Sequence, residues 1–306
     1  MWTIALSPKF LVLYGFFASA LFVHFRGKAR HRFTRQLTDH STLLAPFNCI
    51  LYFFSAVPNR PILNLADFPE LDILSENWQT IRDEAVALRQ AGSIRSSDAY
   101  DDLGFNSFFK TGWTRFYLKW YGGDLPSARE NCPKTTALLE RCPSIHGAMF
   151  AALPPGGSLV AHRDPYAGSL RYHLGLVTPN DDRCRIYIDG DLYSWRDGEG
   201  IVFDETYIHK AINETDQDRI ILFCDIERPM RNAVARVFNR FLARHVVSLT
   251  ATKNVPGEHV GAFNRAFKYV YAFRRLGKAL KARNRRAYYA VKYVLVGGLL
   301  YWVFVS

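Results

Sequence analysis

The sequence predicts a mainly β domain of the sandwich or jelly-roll type with flanking helices, set between two apolar helices. Two observations carry this prediction. From residue 112 onward, short β-type runs are punctuated by turn residues at a spacing that leaves no room for the crossover helices of a parallel α/β sheet. At the two ends, residues 4–25 and 287–305 are long apolar runs.

Taken in order, residues 4–25 are interrupted only by Lys9 and His24, and as a helix they would reach about 33 Å, enough to span a bilayer. Ala18-Ser19-Ala20 resembles a signal-peptide cleavage site, but no basic segment precedes it and the apolar run continues beyond it, which favours a transmembrane helix. Residues 26–62 read as a basic juxtamembrane and interfacial segment. Within it, residues 43–57 are apolar but too short to span and are broken by Pro46 and Asn48. A helix is expected over 72–90, with Ile73, Leu74, Trp78, Ile81, Ala85 and Leu88 on one face and Gly92 just past its end. Strands are expected over 113–121, 145–151, 158–162, 169–177, 185–188, 192–195, 200–203 and 219–227, inside a domain bounded by residues 63 and 229. Residues 230–286 read as basic amphipathic helices, beginning with one that carries Val234, Phe238, Phe241 and Leu242 on a single side. Residues 287–305 would be a second transmembrane helix of about 29 Å, with a buried core helix as the alternative.

The chain has 306 residues, 39 Lys+Arg against 28 Asp+Glu, and a net charge of +11. Fifteen of the cations lie in two blocks, five between Arg26 and Arg35 and ten between Arg265 and Lys292, so the remainder carries about −4. That distribution argues against nucleic-acid binding and for an anionic membrane surface. By the positive-inside rule both blocks are expected on the cytoplasmic side, at a bacterial inner membrane, with the termini across it. The odd number of cysteines, five, with no metal-type spacing, fits free thiols in a reducing compartment.

His162 and Asp164 are two residues apart, so in an extended segment both could reach one metal ion; such a pair arises often by chance. His209, in the loop expected after the run ending at Phe203, could complete a two-histidine, one-carboxylate set of the kind used by non-haem Fe(II) oxygenases. Arg219 opens an otherwise apolar strand and needs an anionic partner, either a dicarboxylate ligand or a neighbour such as Asp218 or Asp225. Arg171 and His173 share one strand face, turned either to a polar ligand inside the barrel or to solvent.

Gly156-Gly157, His162-Arg163-Asp164-Pro165, residues 170–176, and Phe203-Asp204-Glu205 through His209 to Arg219, with the Phe105-Asn106-Ser107-Phe108-Phe109 stretch, resemble the aspartyl/asparaginyl β-hydroxylase family of Fe(II)/2-oxoglutarate dioxygenases, and within it the membrane branch that acts on lipid A. The resemblance implies a double-stranded β-helix, with His162, Asp164 and His209 as catalytic metal ligands and Arg219 on the distal carboxylate of 2-oxoglutarate. It also implies that Arg171 and His173 lie near the cosubstrate's metal-proximal end, that Fe(II), 2-oxoglutarate and O2 are required, and that ascorbate stimulates. The peptide-directed branch typically has glycine where this chain has Asp164, so the full triad favours a lipid substrate. The expected reaction is hydroxylation at C2 of a secondary fatty acyl chain of lipid A, or of another anionic lipid. The alternatives are a peptidyl aspartyl/asparaginyl β-hydroxylase and a non-catalytic membrane scaffold.

Overall fold

Ten strands form two antiparallel sheets in the computed structural model, which describes residues 7–36, 39–97 and 102–304. They are β1 (Ile62–Leu63), β2 (Thr114–Trp120), β3 (Ile145–Leu153), β4 (Ser158–His162), β5 (Ser169–Val177), β6 (Cys184–Ile188), β7 (Asp191–Ser194), β8 (Gly200–Phe203), β9 (His209–Asn213) and β10 (Arg219–Glu227). The larger sheet runs β1-β8-β5-β10-β3-β2 and the smaller β4-β9-β6-β7. From β3 to β10 the chain passes back and forth between the two sheets, which makes a jelly-roll-like sandwich with flanking helices. The turn from β3 to β4 uses Gly156 at φ +69°, a conformation that glycine adopts without a steric penalty.

The centre of the larger sheet is buried on both faces. Along β5, Leu170, Tyr172, Leu174 and Leu176 alternate with Arg171 and His173, and all six are buried. The polar pair therefore faces the space between the sheets rather than solvent. A helix over Trp78–Gln90 packs against β5 through the core that includes Ile81, Ala85 and Leu88. The helix expected over 72–90 is present as two pieces, Asp72–Glu76 and Trp78–Gln90, divided at Asn77.

The helices outside this core include α1 (Pro8–Phe25), α2 (Ala45–Phe53), α3 (Ala233–His245) and α4 (Arg285–Phe304). A second apolar cluster joins Ala20 and Val23 of α1 to Leu51 and Tyr52 of α2 and to Ala235 and Leu242 of α3. On α3 the buried residues are Ala235, Asn239, Leu242 and Ala243; of the four apolar residues expected on a single side, Leu242 is buried and Phe238 packs against the cluster, while Val234 and Phe241 are exposed. Asn239 is held there by hydrogen bonds with Tyr166 and the Gly168 carbonyl.

The two transmembrane helices expected from the sequence are corrected by the structure. Among the described residues no helix is long and apolar enough to cross a membrane. In α1 the stretch between Lys9 and His24 is 14 residues, about 21 Å, against a hydrocarbon core of about 30 Å. In α4 the cations Arg285, Arg286 and Lys292 fall in the first eight residues and leave 12, about 18 Å, beyond Lys292. Residues 4–6 and 305, which belong to the two expected spans, lie outside the described residues. The shorter run at 43–57 holds α2, which packs against α1 and leaves Phe53 exposed.

Candidate active site

The jelly roll brings the predicted ligands together by strand pairing. His162 ends β4 and His209 begins β9, rather than lying in a loop as the sequence suggested, and the two are direct cross-strand partners. Their rings lie 4.2 Å apart between centroids. Asp164 sits just beyond β4, where its backbone N–H donates to the Glu205 carbonyl at 2.9 Å. One ligand atom from each of His162, Asp164 and His209 lies within 4.8 Å of the others.

The donor set fits a metal ion. His162 Nδ1 lies 2.7 Å from the Val160 carbonyl and His209 Nδ1 lies 3.0 Å from the Tyr207 carbonyl. A carbonyl oxygen only accepts, so both Nδ1 atoms carry the proton and both Nε2 atoms keep a lone pair for a metal. Burial, reinforced by the neighbouring His162, pushes the His209 imidazole down to about 3, and burial also lowers His162, so both rings are neutral at pH 7. Burial raises the Asp164 carboxyl, but Arg171 and the two imidazoles outweigh that effect and hold it below the usual carboxylate range. Two neutral imidazoles and one ionised carboxylate suit Fe(II) among several divalent metals.

Arg171 does something other than wait for a ligand. Its Nη2 donates to Asp164 at 2.9 Å and to Glu205, and its Nε donates to Asp225 at 2.9 Å. Ser169 Oγ donates to the other oxygen of Glu205, and Tyr121 donates to the other oxygen of Asp225. Asp164 is thus oriented by a buried guanidinium that is itself fixed by two further acids, the kind of outer support that sets the geometry of metal ligands. The sequence did not reveal this use of Asp225 and Glu205. Asp225 is the direct cross-strand partner of Arg171 on β10, a register that only the folded sheet supplies.

Arg219 presents the opposite condition. It is 2% exposed, and among the described residues neither Nε nor Nη2 has a hydrogen-bond partner. The two neighbours weighed as its ion-pair partners are engaged elsewhere: Asp218 pairs with Arg89 at 2.5 Å and Asp225 with Arg171. Arg219 lies over Trp195, whose ring centre is 4.4 Å from the guanidinium carbon. Burial pulls the Arg219 pKa down to about 10, the mark of a cation without its counter-ion. His173 lies in the same cavity, buried, with both ring nitrogens unpartnered among the described residues. Phe105, Phe108, Trp113, Leu159 and Phe223 complete an apolar lining. Of the aromatic group from Trp113 to Tyr121, Trp113 reaches this lining, while Phe116, Tyr117, Trp120 and Tyr121 do not.

Buried cationic and imidazole groups without partners beside a candidate metal triad match the charge of a dicarboxylate. The free space is about 30 Å³, room for a water or two, so a five-carbon diacid would enter only as lining side chains draw back.

The loop between β8 and β9 is fastened from outside. Asp204 is completely buried and pairs with Arg26 at 2.5 Å and with Arg228 at 2.8 Å. Arg26 lies just past the end of α1, sandwiched between the rings of Tyr52 and Tyr207 at 3.8 and 3.9 Å. All five cysteines are free thiols.

The sequence profile described as Aspartyl/Asparaginyl beta-hydroxylase matches residues 75–229, half of the chain. An ornithine lipid ester-linked acyl 2-hydroxylase from Rhizobium tropici is 34% identical over 58% of this chain and 64% of its own length. The human aspartyl/asparaginyl beta-hydroxylase is 29% identical over 51% of this chain and 21% of its own length. The chain thus spans less than two thirds of the length of these curated relatives. A prolyl-4-hydroxylase structure from Pseudomonas putida overlaps 51% of this chain and 88% of its own at a TM-score of 0.33 and 14% identity. Fe(II) and 2-oxoglutarate are typical of the family that the profile describes, and the His162, Asp164, His209 triad is in place to serve them. The chain belongs to the aspartyl/asparaginyl β-hydroxylase family of Fe(II)- and 2-oxoglutarate-dependent hydroxylases.

Proposed function

We propose that this chain hydroxylates a fatty acyl chain of a membrane lipid at C2, consuming 2-oxoglutarate and O2 and releasing succinate and CO2. The observation that carries the reaction type is the triad sharing one buried cavity with Arg219, a guanidinium that no carboxylate among the described residues neutralises. When bound, the metal supplies the oxidising power for the C–H bond. The protein's part is positional. His162, Asp164 and His209 hold the metal; Arg171 fixes the orientation of Asp164; Arg219 receives the distal carboxylate of the cosubstrate; His173 offers a neutral hydrogen-bonding group beside it; and Phe105, Phe108 and Trp113 keep water out.

A lipid substrate is supported by the helical flank. Leu11, Val12, Phe17 and Phe22 of α1, Phe53 of α2 and Val234, Val237 and Phe241 of α3 are exposed. These helices share one apolar cluster, and α3 also carries Arg236, Arg240 and Arg244. An apolar face edged by arginines suits a seat in the headgroup layer of an anionic leaflet, proposed to be the cytoplasmic face of a bacterial inner membrane. The Rhizobium relative is named for an ester-linked acyl chain, which supports C2 of an acyl group as the target. Lipid A is the proposed carrier and ornithine lipid the competing one.

The test is incubation of the purified full chain with Fe(II), 2-oxoglutarate, O2 and either lipid A or ornithine lipid in detergent. A one-oxygen mass gain on an acyl chain is expected, and it should be absent for His162→Ala. Succinate release driven by an Asp-containing peptide, with no gain on either lipid, would overturn the proposal in favour of peptide hydroxylation.

A further inference from the structure

Beside the metal cavity lies a second opening, a surface groove of about 420 Å³ lined in part by Arg30, His31, Tyr187, Ile208, His209 and Lys210. The two spaces share His209, which opens β9 at the end of the smaller sheet; its neighbour Lys210 turns to the outer face with its cross-strand partner Tyr187, so the groove lies around that sheet end from the metal site. Its charge is of one sign. Lys210 Nζ rests 4.7 Å from the Tyr187 ring centre, and Arg30 donates from Nε to the Gly27 carbonyl at 3.3 Å with its guanidinium carbon 5.0 Å from the Phe25 ring centre. Among the described residues neither cation has a carboxylate partner. Asp189, next to the lining residue Gly190, takes the backbone N–H groups of Lys28 at 3.0 Å and Ala29 at 2.7 Å. That clamp fixes Arg30 and His31 against the groove. Gly27 permits it, because a Cβ there would stand 2.5 Å from Asp189 Oδ1.

His31 is the independent sign of a ligand. It is 8% exposed, lines the groove, and among the described residues its Nε2 has no hydrogen-bond partner. A buried polar atom left unpaired costs about 1–3 kcal/mol, so such atoms normally mark a missing partner.

The chemistry of C2 hydroxylation says where a headgroup must go. C2 is bonded to the acyl carbonyl carbon, so the ester and the headgroup behind it lie within a few bonds of the reacting atom. A headgroup site must therefore lie within a few bonds' reach of the metal cavity, and this groove shares His209 with it. We infer that the groove binds the anionic group, phosphate or carboxylate, of the acylated substrate's headgroup, with Arg30 and Lys210 supplying charge and His31 Nε2 a buried hydrogen bond. The inference rests on the acyl-lipid reading of the metal centre and deepens it by assigning the headgroup class.

The test uses the full chain loaded with Mn(II) and 2-oxoglutarate, with calorimetric titration by three probes: lauroyl-glycerol phosphate, uncharged lauroyl-glycerol and inorganic phosphate. The wild type is expected to bind the phosphate-bearing amphiphile roughly tenfold or more tightly than the uncharged one, as charge-assisted hydrogen bonds require. The Arg30→Gln/Lys210→Gln variant should lose that preference while still binding 2-oxoglutarate, and His31→Phe should lose part of it. Equal wild-type affinity for the two amphiphiles, or a preference that survives in the double variant, would overturn the groove assignment alone. Inorganic phosphate binding as tightly as the charged amphiphile would overturn it in favour of a free anion. Failure of the wild type to bind either amphiphile would overturn the acyl-lipid reading itself and the groove with it.

Discussion

Replacing Arg219 by Met should make the ligand-free protein more stable while removing its response to 2-oxoglutarate. The guanidinium pKa is held at about 10, against an ordinary 12.5, by burial without a counter-ion. A basic group whose folded pKa is depressed destabilises the fold at every pH below that value, and the loss is recovered only as pH rises from about 10 towards 12.5. At about 1.4 kcal/mol per unit the penalty at pH 7 is about 3 kcal/mol. Met keeps most of the volume and can lie against Trp195, so repacking should take back no more than about 1.5 kcal/mol. A net gain of about 2 kcal/mol corresponds to roughly 4–8 °C in Tm for a domain of this size. The assay is scanning calorimetry of the Mn(II)-loaded protein with and without 2-oxoglutarate. At a hundredfold excess over Kd the ligand should stabilise the wild type by about 2.7 kcal/mol and the variant not at all. An Arg219→Met protein that melts lower than wild type without ligand, and still gains stability from 2-oxoglutarate, would refute the reasoning.

Three further outcomes are expected. In calorimetric titration with Mn(II), His162→Ala and His209→Ala should abolish binding, and Arg171→Gln should weaken it roughly 10–100-fold, because Asp164 loses the group that orients it. Arg26→Gln should destabilise the protein at pH 7 by up to about 3 kcal/mol in denaturant titration, as expected when one partner of a buried ion pair is lost. Burial raises the Asp204 carboxyl, but Arg228 and Arg26 outweigh it and hold it well below the carboxylate range, so its ion-pair contribution is complete above about pH 4. The gap between Arg26→Gln and wild type should therefore shrink as pH falls below 4, and a gap that widened would contradict the pairing. Gly175→Ala should cost about 2–3 kcal/mol, measured the same way, because the new Cβ would collide with the backbone carbonyl of Arg196.

Much of this architecture is legible locally. The strands β4, β5, β8 and β10 begin and end where the sequence places them, because turn residues such as Gly156-Gly157 and Asp164-Pro165 bracket runs with strong β preference. The pairing of His162 with Asp164 is equally readable, since it rests on the two-residue period of a strand, whereas the sequence leaves the face of Arg171 and His173 open between a ligand and solvent. What escapes is non-local. Nothing near Arg171 announces that Asp225 will stand opposite it, and β9, five residues with Lys210 exposed, is too short and too polar at one position to stand out. The end helices mislead for a different reason: counting apolar length through His24 and Lys292 overstates what can lie in hydrocarbon. On α3 the larger apolar side chains divide, Leu242 and Phe238 on the packed cluster and Val234 and Phe241 facing outward, while the polar Asn239 is buried, a split that hydrophobicity alone does not show.

The ion pair between Arg26 and Asp204 also bears on where the working unit of this enzyme family member begins. Its family profile starts at residue 75, yet the loop leading into His209 is tied to a cation 49 positions earlier, held between Tyr52 and Tyr207. A chain trimmed to the profile would keep every metal ligand and still leave the carboxylate of Asp204 without Arg26, and Tyr207 without the guanidinium stacked on it. The minimal active fragment should therefore start upstream of Arg26, and N-terminal truncation should unsettle the metal site before it touches any residue that binds metal.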